Sequence, residues 1–180
     1  MEKQLSAILE NFKVSGENYA FQTITNGYIN DTYLVLQDTV PIYILQRINH
    51  LVFKNIDGVM NNIASALSIL QSDNYGKIEL IRTKENETYH NEDGFWRIMS
   101  FIDDTTTYNT TTEPKIAFEA GRIIAEFHNL LQHEKTAEYI DTIPKFHDLE
   151  LRKNQFNEAL ENANKERLSN ASETISFAKE

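Results

Sequence analysis

The spacing of hydrophobic residues changes from helical to strand-like early in the chain. Apolar residues from Leu5 to Phe12 recur at intervals of three and four, which predicts an amphipathic helix that ends near Gly16. From Tyr19 to Gln46 the runs AFQTIT, TYLVLQ and IYILQRI are rich in β-branched and aromatic residues, and the turn-forming segments NGYIND and DTVP separate them. The pattern therefore predicts a helix followed by three antiparallel strands.

A second helix and two further strands follow. Asn55 and Asp57 offer capping groups before VMNNIASALSIL, whose apolar residues form one helical stripe. The runs IELIRT and FWRIMSFI then flank the polar segment KENETYHNEDG, which has the composition of a hairpin connection. The sequence thus predicts an α+β fold in which a five-stranded antiparallel sheet carries one inserted helix.

The pattern becomes helical again after Phe101. A polar, Thr-rich segment closed by Pro114 precedes KIAFEAGRIIAEFHNLLQ, which has a helical apolar stripe, and another helix is expected from about Leu149 toward the terminus. No glycine or proline stop signal follows this last run. We expect one domain over residues 1–103, and over residues 104–180 a linker and the first helices of an incomplete helical lobe.

Composition narrows the classes of partner. Lysine and arginine number 17 against 27 aspartate and glutamate residues, a net charge of −10 that repels nucleic acid and anionic lipid. The absence of cysteine excludes disulfide scaffolds, Cys-ligated metals and thiol nucleophiles. The N-terminus lacks a basic stretch followed by an apolar one. We therefore expect a cytoplasmic protein with no nucleic-acid or membrane partner; the oligomeric state stays open.

Four segments together resemble the aminoglycoside phosphotransferase and choline kinase superfamily, which has a protein-kinase-like fold. They are NGYINDTYLV, YILQRINHLVFKNIDGVMNNI, AGRIIAEFHNLL and IPKFHDLELR. The resemblance is nearest to N-acetylhexosamine 1-kinase-like phosphotransferases. It implies that residues 1–103 are a kinase-like, nucleotide-binding small lobe.

The resemblance implies an ATP-dependent kinase that phosphorylates a hydroxyl of a small molecule, most closely an amino sugar. Homoserine, choline and aminoglycoside acceptors are alternatives, as is a non-catalytic nucleotide- or partner-binding module. The superfamily places its catalytic aspartate and its Mg²⁺ ligands in a segment expected beyond Glu180. The chain is therefore expected to be an N-terminal fragment that binds ATP weakly and is inactive alone. Such a fragment is also expected to expose an apolar face from Ile116 to Leu131.

The resemblance implies nucleotide-binding residues in three places. These are Gly27, Tyr28, Asn30 and Thr32 in the first hairpin, Arg47 on the third strand, and Met99, Ser100, Phe101 and Ile102 at the end of the fifth strand. The first group would cover the phosphates, Arg47 would bind the α- and β-phosphates, and the last group would pair its backbone with adenine. Tyr28 is alternatively placed on the sugar or acceptor side of the cleft.

These assignments have simpler alternatives. The hairpin has one glycine where protein kinases have three, so an ordinary turn at Gly27 is also compatible with the sequence. Arg47 is equally compatible with a strand arginine that points to solvent. The acidic partner that kinases carry on the next helix is missing, since Asn61 and Asn62 stand on the expected face and Asp57 lies in the first turn.

Other polar residues give no catalytic motif. His147 and Asp148 do not match the spacing of a kinase catalytic loop, and the role of Phe146, His147 and Asp148 stays open. His128 is interpreted as a packed structural histidine. Asp103 and Asp104 are interpreted as solvated linker charges.

Overall fold

The chain forms two compact units in a computed structural model that describes residues 2–73, 75–76 and 78–179. The units are Met1–Thr142 and Ile143–Glu180. The expected domain boundary at residues 103/104 falls inside the first unit and stays a prediction. None of the described helices is long and apolar enough to cross a lipid bilayer.

The first unit contains one antiparallel sheet. Its strands are β1 (Tyr19–Ile24), β2 (Asp31–Gln37), β3 (Val40–Ile48), β4 (Leu80–Ile81), β5 (His90–Asn91) and β6 (Phe95–Ser100). The order is β1-β2-β3-β6-β4, and the short β5 pairs with β6. The predicted α+β class with an antiparallel sheet is confirmed, and the structure adds β5, which lies in a segment predicted to be a loop.

Tight turns fix the register of the hairpins. Asp38 and Thr39 both have positive φ, as required in the two-residue turn whose twist suits a β-hairpin. Between β5 and β6, Asp93 and Gly94 also have positive φ. These turns reverse the chain over short polar segments, and the β2–β3 register shifts once, between Val35 and Leu36.

Helix α1 (Glu2–Leu9) covers one face of the sheet. Its apolar stripe belongs to a buried cluster of Leu5, Ile8, Leu9, Phe12, Val35, Leu45, Trp96 and Ile98. The helix ends at Leu9, well before the predicted end near Gly16, because Phe12 already forms a β-bridge with Thr83. The chain after α1 thus joins the sheet.

Helix α2 (Ile56–Ile69) connects β3 to β4. The Asn55 side chain accepts a hydrogen bond of 2.9 Å from the Gly58 N–H, which confirms the predicted cap. Met60 is fully buried and forms a second cluster with Ile48 and Ile56. The inserted helix is therefore anchored through its first two turns.

Helix α3 (Pro114–Leu131) contains no buried residue. Phe118 and Ile124 on it are exposed. After a 3₁₀ turn at Thr136–Glu138 the chain returns to α2, where the Asn62 amide accepts from the Ile140 N–H at 3.1 Å and donates to its carbonyl at 2.9 Å. A Cβ at Gly58 would collide with the Ile140 side chain unless that side chain moved, so the chain passes α2 at close range here.

The second unit is helical and exposed. Its helices are α4 (Leu149–Asn162), α5 (Lys165–Asn170) and α6 (Ser172–Lys179). The single terminal helix predicted from about Leu149 is thus divided, because Asn164 leaves the helix and caps α5 by accepting from the Arg167 N–H at 2.9 Å. None of the described residues in this unit is buried.

A hydrogen bond between Tyr89 and Asp57 gives a pH-dependent contribution to stability. The Tyr89 hydroxyl donates to the Asp57 carboxylate at 2.7 Å, and this hydrogen bond, with burial, raises the pKa of Tyr89 to about 12. A raised folded-state pKa favours the neutral phenol, so the contribution is complete below the unfolded-state pKa of about 10 and is lost toward about 12.

We expect the stability difference between the wild type and Tyr89→Phe to shrink over this pH interval. This stability difference will be modest because solvent reaches the Tyr89 hydroxyl and the Asp57 carboxylate. Urea unfolding at several pH values measures it, and Tyr108→Phe, which alters an exposed tyrosine, is the control. A difference that is constant over the same interval would contradict the assignment.

Candidate functional site

The register of the sheet divides its polar residues between two faces. Residues directly opposite each other on antiparallel strands point to the same face. Asp31, Arg47 and Trp96 are opposite one another across β2, β3 and β6, and Trp96 belongs to the α1 cluster. Thr32 and its partners therefore point to the opposite face, which α2 covers.

Arg47 lies on the α1 face. Its guanidinium donates to the Asp93 carbonyl at 2.8 Å and lies 5.8 Å from the centroid of the Trp96 ring. Gly94, with φ of +119°, makes room for it, because a Cβ there would lie 2.5 Å from the Arg47 Nε. Arg47 thus holds the β5–β6 turn, and it forms no ion pair with any described residue.

A row of three hydrogen-bonded polar side chains crosses the α2 face. Gln46 donates through Nε2 to the Thr32 hydroxyl at 3.0 Å, and its carbonyl oxygen accepts from Arg97 Nε at 3.0 Å and from Nη2 at 2.8 Å. The Arg97 Nη1 also lies 3.9 Å from the Met60 sulfur of α2. We call Thr32, Gln46 and Arg97 the polar row.

Arg97 is a partly buried cation that has no anionic partner among the described residues. Burial lowers the pKa of Arg97 from its ordinary value, which reflects the cost of removing the guanidinium from water. The group stays charged at neutral pH because the pKa of arginine is so high. The polar row is therefore electropositive and only partly satisfied.

The predicted phosphate-covering residues lie in and beside the β1–β2 loop. Tyr28 is fully exposed, at 100%. Gly27 has open space around it and no positive φ, so its backbone does not require glycine. The Asn30 side chain accepts from the Asn49 N–H at 3.0 Å and fixes the base of the loop to the end of β3. Thr32 alone among these residues joins the polar row.

The predicted adenine-binding residues follow the polar row along β6. Met99 is two residues from Arg97 and therefore shares its face. The backbone N–H groups of Ser100 and Phe101 already donate to the carbonyls of Glu79 at 2.9 Å and Ile42 at 3.1 Å. Ile102 lines an apolar pocket of about 400 Å³ beside α2. The backbone groups of Ser100 and Phe101 are thus partly used by the sheet.

Other polar residues have local structural roles. The Asp148 carboxylate caps α4 by accepting from the Leu151 N–H at 2.8 Å, and His147 packs edge-on against Phe146. Asp103 and Asp104 are exposed, as expected. His128 is exposed, and its ring lies 5.9 Å from that of Phe127, so its structural role stays a prediction. No group of three metal-ligating side chains occurs in the described part of the chain.

Sequence reasoning missed Gln46 and Arg97. The sequence signal that could have identified Arg97 is the alternation of side chains in FWRIMS. Buried Trp96 and Ile98 point to the α1 face, so Arg97 points to the other face. The same alternation separates Arg47 from Gln46. Among the residues assigned from sequence, the structure brings Thr32 and Met99 to the α2 face and places Arg47 on the opposite one.

Comparison with known proteins finds a loose similarity. The chain matches no protein-family model. A solved structure of the spectinomycin phosphotransferase APH(9)-Ia in complex with ADP and spectinomycin superposes with a TM-score of 0.49 and 12% sequence identity over 72% of this chain. The chain spans 37% of the length of that protein. A superposition this loose identifies no residue or ligand of this chain.

Proposed function

We propose that residues 1–103 form the nucleotide-binding small lobe of a phosphotransferase that acts on a hydroxyl of a small molecule. The order of elements carries the proposal: a hairpin loop, a third strand, an inserted helix, the strand β6 and an extended linker lead into α3. The sequence resemblance implies the same order. All buried side chains of the described residues fall between Leu5 and Ile98, which supports a separate small lobe. Residues 104–180 are then the linker and the start of a helical lobe.

The proposed nucleotide site lies on the sheet face covered by α2. The β1–β2 loop, with Gly27, Tyr28 and Asn30, covers the phosphates, and Thr32 lies at the near end of the polar row. The proposed adenine contacts are Met99 through Ile102. ATP fits this arrangement because the loop and the Arg97 guanidinium can contact phosphates, while the apolar end of β6 can contact the base. When bound, ATP supplies the transferable phosphoryl group.

The acceptor and the metal ion of the reaction are proposed from the sequence resemblance. The resemblance favours an amino sugar, with homoserine, choline and aminoglycosides as alternatives. Mg²⁺ neutralises phosphate charge in this chemistry. The described residues contain no cluster of carboxylates that would hold it, so we assign no step to a metal.

The purified chain is expected to bind ATP saturably and at least about tenfold more tightly than adenosine, because charge-assisted hydrogen bonds to phosphate add about 1.5 kcal/mol or more. Isothermal titration calorimetry with ATP, ADP and adenosine measures the affinity for each ligand. GTP is the matched control for the base, and weaker GTP binding is expected from adenine recognition at residues 99–102. Absence of ATP binding, or equal affinity for ATP and GTP, would refute a nucleotide site of this kind.

A further inference from the structure

We propose that Arg97 is the cation that binds the phosphates of the nucleotide, and that Gln46 positions it. This inference rests on the proposed function and replaces Arg47 in that role. It is carried by the polar row, which places a guanidinium on the α2 face of the sheet.

Arg47 and Arg97 point to opposite faces of the sheet. Arg47 and Trp96 are opposite each other, as are Gln46 and Arg97, so the guanidinium groups project to different faces. Thr32, at the end of the β1–β2 loop, is on the face of Arg97. A phosphate covered by that loop and lying under the α2 face therefore meets Arg97.

The Arg47 guanidinium already has contacts within the protein. Arg47 is engaged by the Asp93 carbonyl and by the Trp96 ring, and the Gly94 backbone is shaped to admit it. This arrangement accounts for Arg47 as a structural residue. Its contacts tie it to the β5–β6 turn.

Arg97 is engaged only in part. Of its five N–H bonds, two point to the Gln46 carbonyl oxygen and one toward the Met60 sulfur, a weak acceptor, which leaves two without a hydrogen-bond partner among the described residues. A partly buried cation without an anion is costly, and arginines in such positions are normally paired. A phosphate oxygen supplies the missing anion and matches the planar donor fork.

Gln46 orients the Arg97 guanidinium through two hydrogen bonds. Its amide is oriented at both ends, since the nitrogen donates to Thr32 and the oxygen accepts from Arg97. A glutamine orients the guanidinium without neutralising it. A glutamate at the same place would compensate the charge internally and leave little electrostatic attraction for a phosphate.

The test compares Arg97→Gln and Gln46→Glu with the wild-type chain. Titrations use ATP, inorganic pyrophosphate and adenosine as probes. Both variants are expected to weaken ATP and pyrophosphate binding by about 10- to 100-fold, the usual range for a lost charge-assisted pair, and to leave adenosine binding unchanged. Arg97→Lys is expected to recover part of the affinity. Arg122→Gln, which alters an exposed arginine paired with Glu119 on α3, is the matched control.

Gln46→Glu keeps the test decisive if Arg97→Gln unfolds. The new carboxylate can pair with Arg97, so this variant is expected to fold, which circular dichroism verifies. ATP binding that survives in folded Gln46→Glu, or that is lost in Arg47→Gln and kept in Arg97→Gln, overturns the role of Arg97 and leaves the nucleotide site standing. If the chain binds pyrophosphate through Arg97 but does not prefer ATP, the proposed nucleotide function is refuted. The role of Arg97 as a phosphate-binding residue is then supported. Absence of any pyrophosphate and ATP binding overturns both.

Discussion

Trp96→Ala is expected to lower the free energy of unfolding of the first unit by about 3–5 kcal/mol. Trp96 lies on β6 with 3% of its surface exposed, in the cluster that joins α1 to the sheet. Removing it leaves a large cavity that the paired strands on either side cannot close.

Two further contacts are lost with the indole. Its Nε1 donates to the Glu92 carbonyl at 3.1 Å, and its ring lies beside the Arg47 guanidinium. Both contacts hold the β5–β6 turn. We therefore expect this turn to loosen along with the core.

Denaturant unfolding followed by far-ultraviolet circular dichroism measures the loss. Fluorescence is unsuitable because Trp96 is the single tryptophan in the sequence. Trp96→Phe keeps an aromatic ring and removes the indole N–H, so it is the matched control and should retain most of the stability. A loss below about 1 kcal/mol for Trp96→Ala, the size of an average substitution, would show that this cluster does not hold the fold.

Met60→Ala is expected to lower the stability by about 2–5 kcal/mol through a cavity between α2 and the sheet. Met60 is fully buried, and it packs with Ile48 and Ile56. Its sulfur also lies beside the Arg97 guanidinium, so the substitution removes the contact between α2 and the polar row. Among the backbone amides of the protein, those of α2 should show the largest increase in hydrogen-exchange rate.

Met60→Leu separates packing from the sulfur contact. It keeps the volume and is expected to cost less than about 1.5 kcal/mol. Denaturant unfolding of both variants, with exchange measured residue by residue, gives the comparison. Equal losses for the alanine and leucine variants would indicate that the sulfur, and not the filled volume, supports α2.

Among the described residues, the polar row has no carboxylate partner on α2. The sequence shows no acidic residue on the expected face of the inserted helix. In the structure Met60 is the α2 residue beside the Arg97 guanidinium, and Asp57 instead accepts from Tyr89. An arginine without a helix carboxylate keeps its full charge for a ligand. This is the physical basis of the proposed phosphate contact.

The sequence by itself determined those helices and strands for which the hydrophobic pattern and the capping or turn residues predict the same structure. The apolar stripe and the Asn55 cap predicted α2, and the β-rich runs predicted β1, β2, β3 and β6. Boundaries were less predictable where a distant contact decides them. The early end of α1 depends on the bridge between Phe12 and Thr83, and β5 exists because β6 lies beside it.

The candidate site was determined by the sequence only in part. Alternation along a strand shows that neighbouring residues such as Gln46 and Arg47 point to opposite faces. It does not show which face α1 covers and which face α2 covers, because this depends on how the helices pack. The tertiary structure decided it: the burial of Trp96 under α1 directs Arg97 to the α2 face and leaves Arg47 to hold a turn.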